Sequence, residues 1–428
     1  MLERTVQFAE IKDEDGDACE DVKALSGWVL ETIKEVIALK NFSINAVNFS
    51  TYGASFVYLS ENGEVIAPLY NYLKVYPTEL KDFFYKKYGG EKEVSLQTSS
   101  PVLGNLNAGM QLYRLKNEQP ELFSKIKYAL HLPQYISYLL TYEAMTDITS
   151  IGCHTQLWDF EKHTYHDWVK KEEIEKLFPP VFSSSDVKET IVENKLLKVG
   201  VGLHDSSAAL IPYLANFTEP FILISTGTWC ISFNPFNREP LTSTELENDC
   251  LCYMEYNGQP VKASRLFAGQ EHETQVKRLA DHFGKNGNYY TQVSYDSSLV
   301  EGNLNNTSVK TGVHTSGFEN ESLDKFDSFE QAYHRLIQYI MAQQFVATNF
   351  VMSPAVTRIF VDGGFSKNPV YMNLLSSGFP GKEIFAATVS QATAVGAALA
   401  IHKHWNSRPV AADMIELKLY ATAHKTVV

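Results

Sequence analysis

The sequence predicts an α/β protein of two or three domains, on three observations. Its 428 residues are too many for one hydrophobic core. The stretch "RIFVDGGFSKNPVYMNLLSSGFPGKEIFAATVSQATAVGAALAIHKHW", which opens at Arg358, reads as strand, Gly-Gly turn, helix, strand, helix. That alternation implies parallel strands with crossover helices. Upstream, "EPFILISTGTWCISFNPF" reads as strand, tight polar turn, strand, so a second unit begins near Glu219.

The remaining elements follow in order. "INAVNFSTYGASFVYLSENGEVIAPLY", from Ile44 to Tyr70, predicts three short strands with a turn at Asn62–Gly63. "ELKDFFYKKYGG" predicts a helix stopped by Gly89 and Gly90. Residues 104–141 carry apolar residues at three- and four-residue spacing, and predict successive helices broken by Pro120 and Pro133. "DITSIGCHTQLWDF" is a polar, glycine-containing bend into a strand-like end, and "HDWVKKEEIEKLF" an amphipathic helix ended by Pro179 and Pro180. "DSFEQAYHRLIQYIMAQQFVATNFV" predicts a long helix capped by Asp327. Residues 284–322, rich in Asn, Ser, Gly and Thr, predict a surface excursion on the side of a mobile lid. Thr388 to Ala400 predicts a helix of small residues. Its Gly396 costs helix propensity, so a close backbone approach is expected there.

Composition excludes several classes. Fifty acidic residues against 37 basic ones give a net charge of −13, which supports neither nucleic-acid nor anionic-membrane binding. Any phosphate site must then be built locally, from backbone N–H groups or a metal. Five scattered cysteines argue against a disulfide scaffold and for a reducing compartment. Cys250 and Cys252 have no second pair and no matching histidines, and read as alternate strand positions, not a zinc site. No signal peptide and no apolar run of the ~18 residues that span a bilayer is evident, so the cytoplasm is the expected location.

Three stretches could carry chemistry. In "GVGLHDSSAAL", Asp205 stands at the mouth of a helix, where it is either a cap or a general base beside phosphate. In "STGTWC", the small hydroxyl residues around Gly227 form either a plain turn or a loop whose N–H groups point at an anion. In "VDGGFSKN", an apolar strand ends in Gly363–Gly364. That is either a tight βα turn capped by Ser366 or a nucleotide site at a strand's carboxyl end.

Taken together, in order, these stretches resemble the second half of an actin-like ATPase, and more specifically the FGGY family of carbohydrate kinases. The resemblance is carried by "YISYLLTYEAMTDITSIGCHTQLWD", "VGVGLHDSSAALIPY", "ISTGTWCIS", "VDGGFSKNPVYMNLL" and "SQATAVGAAL". "STYGASFVYLSENG", "LNAGMQLYRL" and "ASRLFAG" are similar to the rhamnulokinase and fuculokinase branch. The resemblance covers nearly the whole chain. It implies a two-domain α/β fold of the actin-like, ribonuclease H-like type, with a sugar-binding domain over 1–217 and an ATP-binding domain over 218–428. It implies transfer of the γ-phosphate of ATP, with Mg²⁺, to a hydroxyl of a ketose such as L-rhamnulose or L-fuculose, inside a cleft that closes to exclude water. The general base falls on Asp205. Thr226, Gly227 and Thr228 match a phosphate loop, and Gly363, Gly364, Ser366 and Asn368 the adenosine region. Thr51, Tyr52, Gly53 and Gln111 are sugar-side candidates. His204 is either a sugar contact or a structural histidine. No residue is assigned to the metal. Asn71 and Lys74 stand where many family members carry an arginine-containing sugar loop.

One feature of the family's pattern is expected to be missing. The first half of such a fold opens with a phosphate-binding β-hairpin carrying Asp-x-Gly-Thr-Thr or a near variant. This chain starts on residues that resemble the third strand, an acidic loop and the first helix. The absence reads either as a start that lies upstream or as real loss. Real loss motivates one rival to the kinase, a catalytically weak or inactive sugar- or nucleotide-binding protein of the same fold. A second rival is another actin-like ATPase indifferent to sugar. The expected partner is a small-molecule sugar, with no nucleic acid and no membrane, and the expected state a monomer or homodimer.

Overall fold

A computed structural model describes residues 2–300, 309–389, 391–411 and 413–420. Ser390 of the small-residue stretch and residues 301–308 of the polar excursion lie outside them. The chain forms two compact units. The first comprises Met1–Pro212 with Cys252–Pro260 and Gln391–Val410, and the second Tyr213–Leu251, Val261–Ser390 and Ala411–Val428. Two segments from beyond residue 218 are thus counted with the first unit. No helix among the described residues is long and apolar enough to cross a membrane.

The second unit is organised by a seven-stranded sheet. Its order is Cys250–Met254, Pro260–Leu266, Cys230–Asn234, Phe221–Thr226, Arg358–Gly363, Glu383–Thr388, Glu416–Tyr420, with Cys252–Met254 counted in the first unit. Phe221–Thr226 and Cys230–Asn234 form the antiparallel hairpin expected from the sequence. Phe221–Thr226 pairs in parallel with Arg358–Gly363, and that strand in parallel with Glu383–Thr388. The continuous apolar runs of these central strands suit a sheet covered on both faces. The long helix is Phe329–Val351, and its residues Tyr333, Ile337, Ile340 and Met341 are fully buried. Its N-cap is Ser328, whose hydroxyl accepts from Gln331 N at 3.2 Å, and not the expected Asp327. Both residue types suit a cap, and the helix register selects the serine.

The first unit is built from short pieces. Ala46–Val47, Ser50–Thr51 and Phe56–Leu59 are the three short strands expected. Pro120 and Pro133 occupy the first or second position of the helices Pro120–Phe123 and Leu132–Thr141, so they start helices where the sequence reading had them break one. Between those helices the strand Tyr128–His131 pairs with Phe56–Leu59. The expected helix after His166 is divided. Asp167–Lys171 and the 3-10 turn Ile174–Leu177 are separated at Glu173, whose φ is +58°. All five cysteines are buried.

A three-donor carboxylate ties this unit together. Glu172 accepts from Lys116 Nζ and Lys87 Nζ at 2.6 Å each, and from the Tyr88 hydroxyl. Burial alone would raise its pKa, but these donors outweigh burial and hold it at about 2. A depressed carboxyl stabilises above its unfolded pKa of about 4.3 and loses that contribution as pH falls through its folded value. Glu172→Gln is therefore expected to cost about 1–2 kcal/mol at pH 7. In urea titrations across pH, the gap to the unsubstituted protein should close as pH falls toward 2.

The close approach expected at Gly396 is present. The helix Ala392–Ala400 crosses the helix Asp205–Asn216 so closely that a Cβ on Gly396 would stand 1.8 Å from the Ala208 carbonyl oxygen. Backbone cannot yield as a flexible side chain does. Gly396→Ala is expected to destabilise by about 1–3 kcal/mol, read as a lowered midpoint in thermal unfolding.

Candidate active site

In the second unit the two glycine-containing turns meet. Thr226 pairs with Gly363 across parallel strands. The Thr226 hydroxyl donates to Asp362 O at 2.6 Å and accepts from Phe365 N at 3.0 Å, which locks one turn to the other. Gly363 has φ +89°, and a Cβ there would lie 2.0 Å from Thr226 O. Only glycine satisfies both conditions. A third turn joins them: a Cβ on Gly269 would stand 1.8 Å from Gly227 O, and Gln270 N donates to Thr228 O at 3.2 Å. Gly269 opens the helix Ala268–Phe283, so this helix's free N–H groups lie at the Thr226–Thr228 loop.

A cavity of about 850 Å³ opens at this junction, lined by Thr226, Gly227, Thr228, Gly364 and Asn368 together with Gly269 and Gln270. His272, Tyr290 and Phe365 supply its aromatic lining. Tyr290 and Phe365 each meet the His272 ring edge-on, at 4.9 and 5.1 Å. Burial pushes His272 down to about 4, so its ring is neutral at pH 7. Gly363 and Ser366 stand behind the lining. The Ser366 hydroxyl donates to Gly363 O at 2.8 Å, and the cap of the following helix, Pro369–Gly378, is Asn368 instead, accepting from Val370 N and Tyr371 N. Asn368 also donates to the Tyr333 hydroxyl at 2.7 Å.

In the first unit Asp205 begins the helix Asp205–Asn216, directly after the two-residue strand Leu203–His204. Its carboxylate accepts from Ser206 N at 2.6 Å, and its side chain is 42% exposed. A base must be reachable by substrate, and at this exposure the Asp205 carboxylate would meet that condition. His204 is buried and pairs in register with Thr51. Gly53 lies against its ring, where a Cβ would meet His204 Cδ2 at 2.7 Å. Thr51, Gly53, His204 and Asp205 are thus one cluster. Tyr52 faces Tyr72, with ring centroids 5.6 Å apart. Gln111 lies deeper. Its amide donates to Ala54 O at 2.7 Å and Asn105 O at 2.6 Å, and its buried carbonyl oxygen has no hydrogen-bond partner among the described residues. Lys74 is committed elsewhere: its ammonium reaches Asp13, Asp15 and Asp17.

The sequence reading missed several residues here. Asp147 accepts from Thr149 N at 2.9 Å and from the Thr149 hydroxyl, which in turn accepts from His204 N at 2.9 Å. Ser184 also donates to Asp147. Burial pushes the Asp147 carboxyl up to about 6 against these donors. This chain of bonds fixes the strand end that carries His204 and Asp205. Cys153, His154 and Tyr253 surround His204: Cys153 Sγ is 2.9 Å from His204 Nε2, and the Tyr253 ring stacks on it at 5.7 Å. No periodicity signals Tyr253, which arrives from far along the chain. Asp147 was visible as the polar start of a bend, with nothing to mark its partners.

Comparison with known proteins identifies the family. The model for the N-terminal domain of the FGGY family of carbohydrate kinases matches residues 3–211, and that for the FGGY C-terminal domain residues 218–409. A rhamnulokinase of Mannheimia succiniciproducens is 23% identical over 231 residues, 51% of this chain and 44% of that protein. A rhamnulokinase of Klebsiella pneumoniae strain 342 is 24% identical over 248 residues, 55% of this chain and 49% of that one. The chain spans about half the length of the curated relatives it matches. Solved structures share the fold. A carbohydrate kinase from Novosphingobium aromaticivorans superposes with TM-score 0.71 at 20% identity, covering 96% of this chain and 90% of that one. A xylulose kinase from Rhodospirillum rubrum superposes with TM-score 0.77 at 13% identity, covering 96% and 88%. The fold is the two-domain, actin-like type expected from the motifs, and the chain belongs to the FGGY family of carbohydrate kinases.

Proposed function

We propose that the protein is an ATP-dependent carbohydrate kinase that phosphorylates a hydroxyl of a ketose of the L-rhamnulose or L-fuculose type. The observation that carries this reading is the cavity of about 850 Å³ where the Thr226–Thr228 loop, the Gly363–Gly364 turn and the N-terminus of the helix Ala268–Phe283 converge. Backbone N–H groups, small side chains and a helix N-terminus are what an acidic protein needs to hold polyphosphate. Tyr290, His272 and Phe365 offer an aromatic wall to a purine ring, and Asn368 and Gly364 its edge. In this reading 218–428 is the ATP-binding domain and 1–217 the sugar-binding domain.

Phosphoryl transfer asks little covalent chemistry of a protein. It needs alignment, charge neutralisation and a base at the nucleophile. Asp205 accepts the proton of the attacking sugar hydroxyl as its oxygen bonds the γ-phosphorus and the bond to the β-phosphate oxygen breaks, releasing ADP. The helix that Asp205 begins adds partial positive charge at the same point. Thr51, Tyr52, Gly53, His204 and Gln111 orient the sugar. The rhamnulokinase relatives favour this sugar class, and Lys74, bound to the Asp13 loop, sets it apart from family members with an arginine there. Mg²⁺, when bound, neutralises phosphate charge. The Thr228 hydroxyl is a hard oxygen donor in the cavity lining that would help hold it.

The test is ADP release with Mg-ATP across a panel of ketoses. Sugar-dependent release with a preference for a 6-deoxyketose is expected. Nucleotide and sugar binding without release would make the chain a binding protein of this fold, and release indifferent to sugar would make it a plain ATPase.

A further inference from the structure

His204 has surroundings that a purely structural histidine lacks. It is buried, its Nδ1 has no hydrogen-bond partner among the described residues, and its Nε2 lies between a sulfur and a carboxylate. Cys153 Sγ is at 2.9 Å and Asp205 Oδ1 at 3.3 Å. His154 completes the group, its ring perpendicular to that of His204 at 6.0 Å. One ligand atom each of Cys153, His154 and His204 lie within 4.8 Å of one another, and all three residues are buried. His154 Nδ1 is 3.1 Å from Leu106 O. That contact keeps the proton on Nδ1 and the lone pair on Nε2, the arrangement by which a backbone carbonyl orients a ligating imidazole.

We propose that Cys153, His154 and His204 form a three-ligand binding site for a borderline-soft divalent cation, Zn²⁺ in the first place, with the fourth position left to water. One sulfur and two imidazoles are a zinc donor set, and a poor one for Mg²⁺. A tetrahedral centre with bonds of about 2.0–2.3 Å holds its ligand atoms roughly 3.3–3.6 Å apart. Cys153 Sγ and His204 Nε2, 2.9 Å apart, stand closer than that, so modest side-chain movement opens the shell. On binding, the sulfur–zinc bond replaces the sulfur–hydrogen bond and the thiol proton passes to solvent. No electrons are exchanged. The site does not depend on the kinase reading. If that reading holds, the ion withdraws His204 from the sugar, beside the base Asp205, so Zn²⁺ inhibits turnover.

The experiment is Co²⁺ and Zn²⁺ titration of the protein after chelator treatment. Co²⁺ is expected to give tetrahedral visible bands and a near-ultraviolet sulfur-to-cobalt band at one equivalent, displaced by Zn²⁺. Cys153→Ser should abolish the sulfur band, and His154→Ala should weaken binding at least about tenfold. Circular dichroism melts of both variants verify their folding, and the spectrum of the unsubstituted protein decides should either fail to fold. An octahedral cobalt spectrum, no stoichiometric binding, or a sulfur band that survives in folded Cys153→Ser overturns the proposal. These readouts use no turnover. Zinc binding without any kinase activity would therefore sink only the kinase reading, and turnover unaffected by a bound ion only the inhibition.

Discussion

Asp205→Asn is expected to lower sugar-dependent turnover by about 10²–10⁴-fold, the range a positioned general base contributes. The substitution keeps size and shape. An asparagine oxygen can still accept from Ser206 N, which the aspartate does at 2.6 Å, so the helix start should persist. The loss should then fall in kcat, with KM for ATP changed only a few-fold, because nothing in the nucleotide cavity is touched. Stopped-flow or coupled ADP assays on the folded variant give both constants. Unchanged kcat would mean that another group takes the proton, and would return Asp205 to the role of a helix-start residue.

Gly363→Ala is expected to damage both stability and nucleotide binding, where Gly364→Ala damages binding alone. Gly363 has φ +89°, and its added Cβ would meet Thr226 O at 2.0 Å and the Thr226 hydroxyl at 3.0 Å. The left-handed conformation costs an alanine about 1–2 kcal/mol, and the contact with backbone adds more. A total above about 2 kcal/mol lowers the melting midpoint by several degrees in a unit of this size. The same contact spreads the two strands whose ends shape the cavity, so nucleotide affinity should fall at least tenfold. Around Gly364 nothing lies within 4 Å of an added Cβ. Its methyl would project into the cavity proposed for the nucleotide, with thermal unfolding unaltered. Equal melting midpoints for the two variants would contradict this division of roles.

How much of this was legible depends on how local each signal is. The hairpin Phe221–Thr226 with Cys230–Asn234 and the strand Arg358–Gly363 were readable because apolar runs bounded by glycine and hydroxyl residues are local patterns. Gly396 was readable for the opposite reason: a glycine inside a helix breaks a local preference, and the Ala208 carbonyl is what it accommodates. Caps were less legible. Asp327 and Ser328 are adjacent and chemically able, as are Ser366 and Asn368, and only the helix phase decides between them. The helix-starting prolines and the strand Tyr128–His131 were hidden by helix-like spacing on either side. Long-range placement was invisible. Nothing in "GCHT" reveals that Cys153 meets His204, or that Tyr253 stacks there from about 50 residues further along. Lys74 likewise reads as a sugar-loop residue until the structure shows its ammonium held by the Asp13 loop. Asp205 and Thr226–Thr228 were singled out in sequence by motif order. Gly269 and Gln270 were not, because a helix start that docks on another loop leaves no pattern of its own.

The central claim is that the γ-phosphate moves from ATP to a sugar hydroxyl, and phosphorus NMR of the protein with Mg-ATP and L-rhamnulose or L-fuculose reads that directly. The account predicts a new phosphomonoester resonance, split by its sugar protons, that grows in step with ADP and is lost in Asp205→Asn. Growth of inorganic phosphate in its place, or an ATP spectrum that does not change with any ketose supplied, would contradict it.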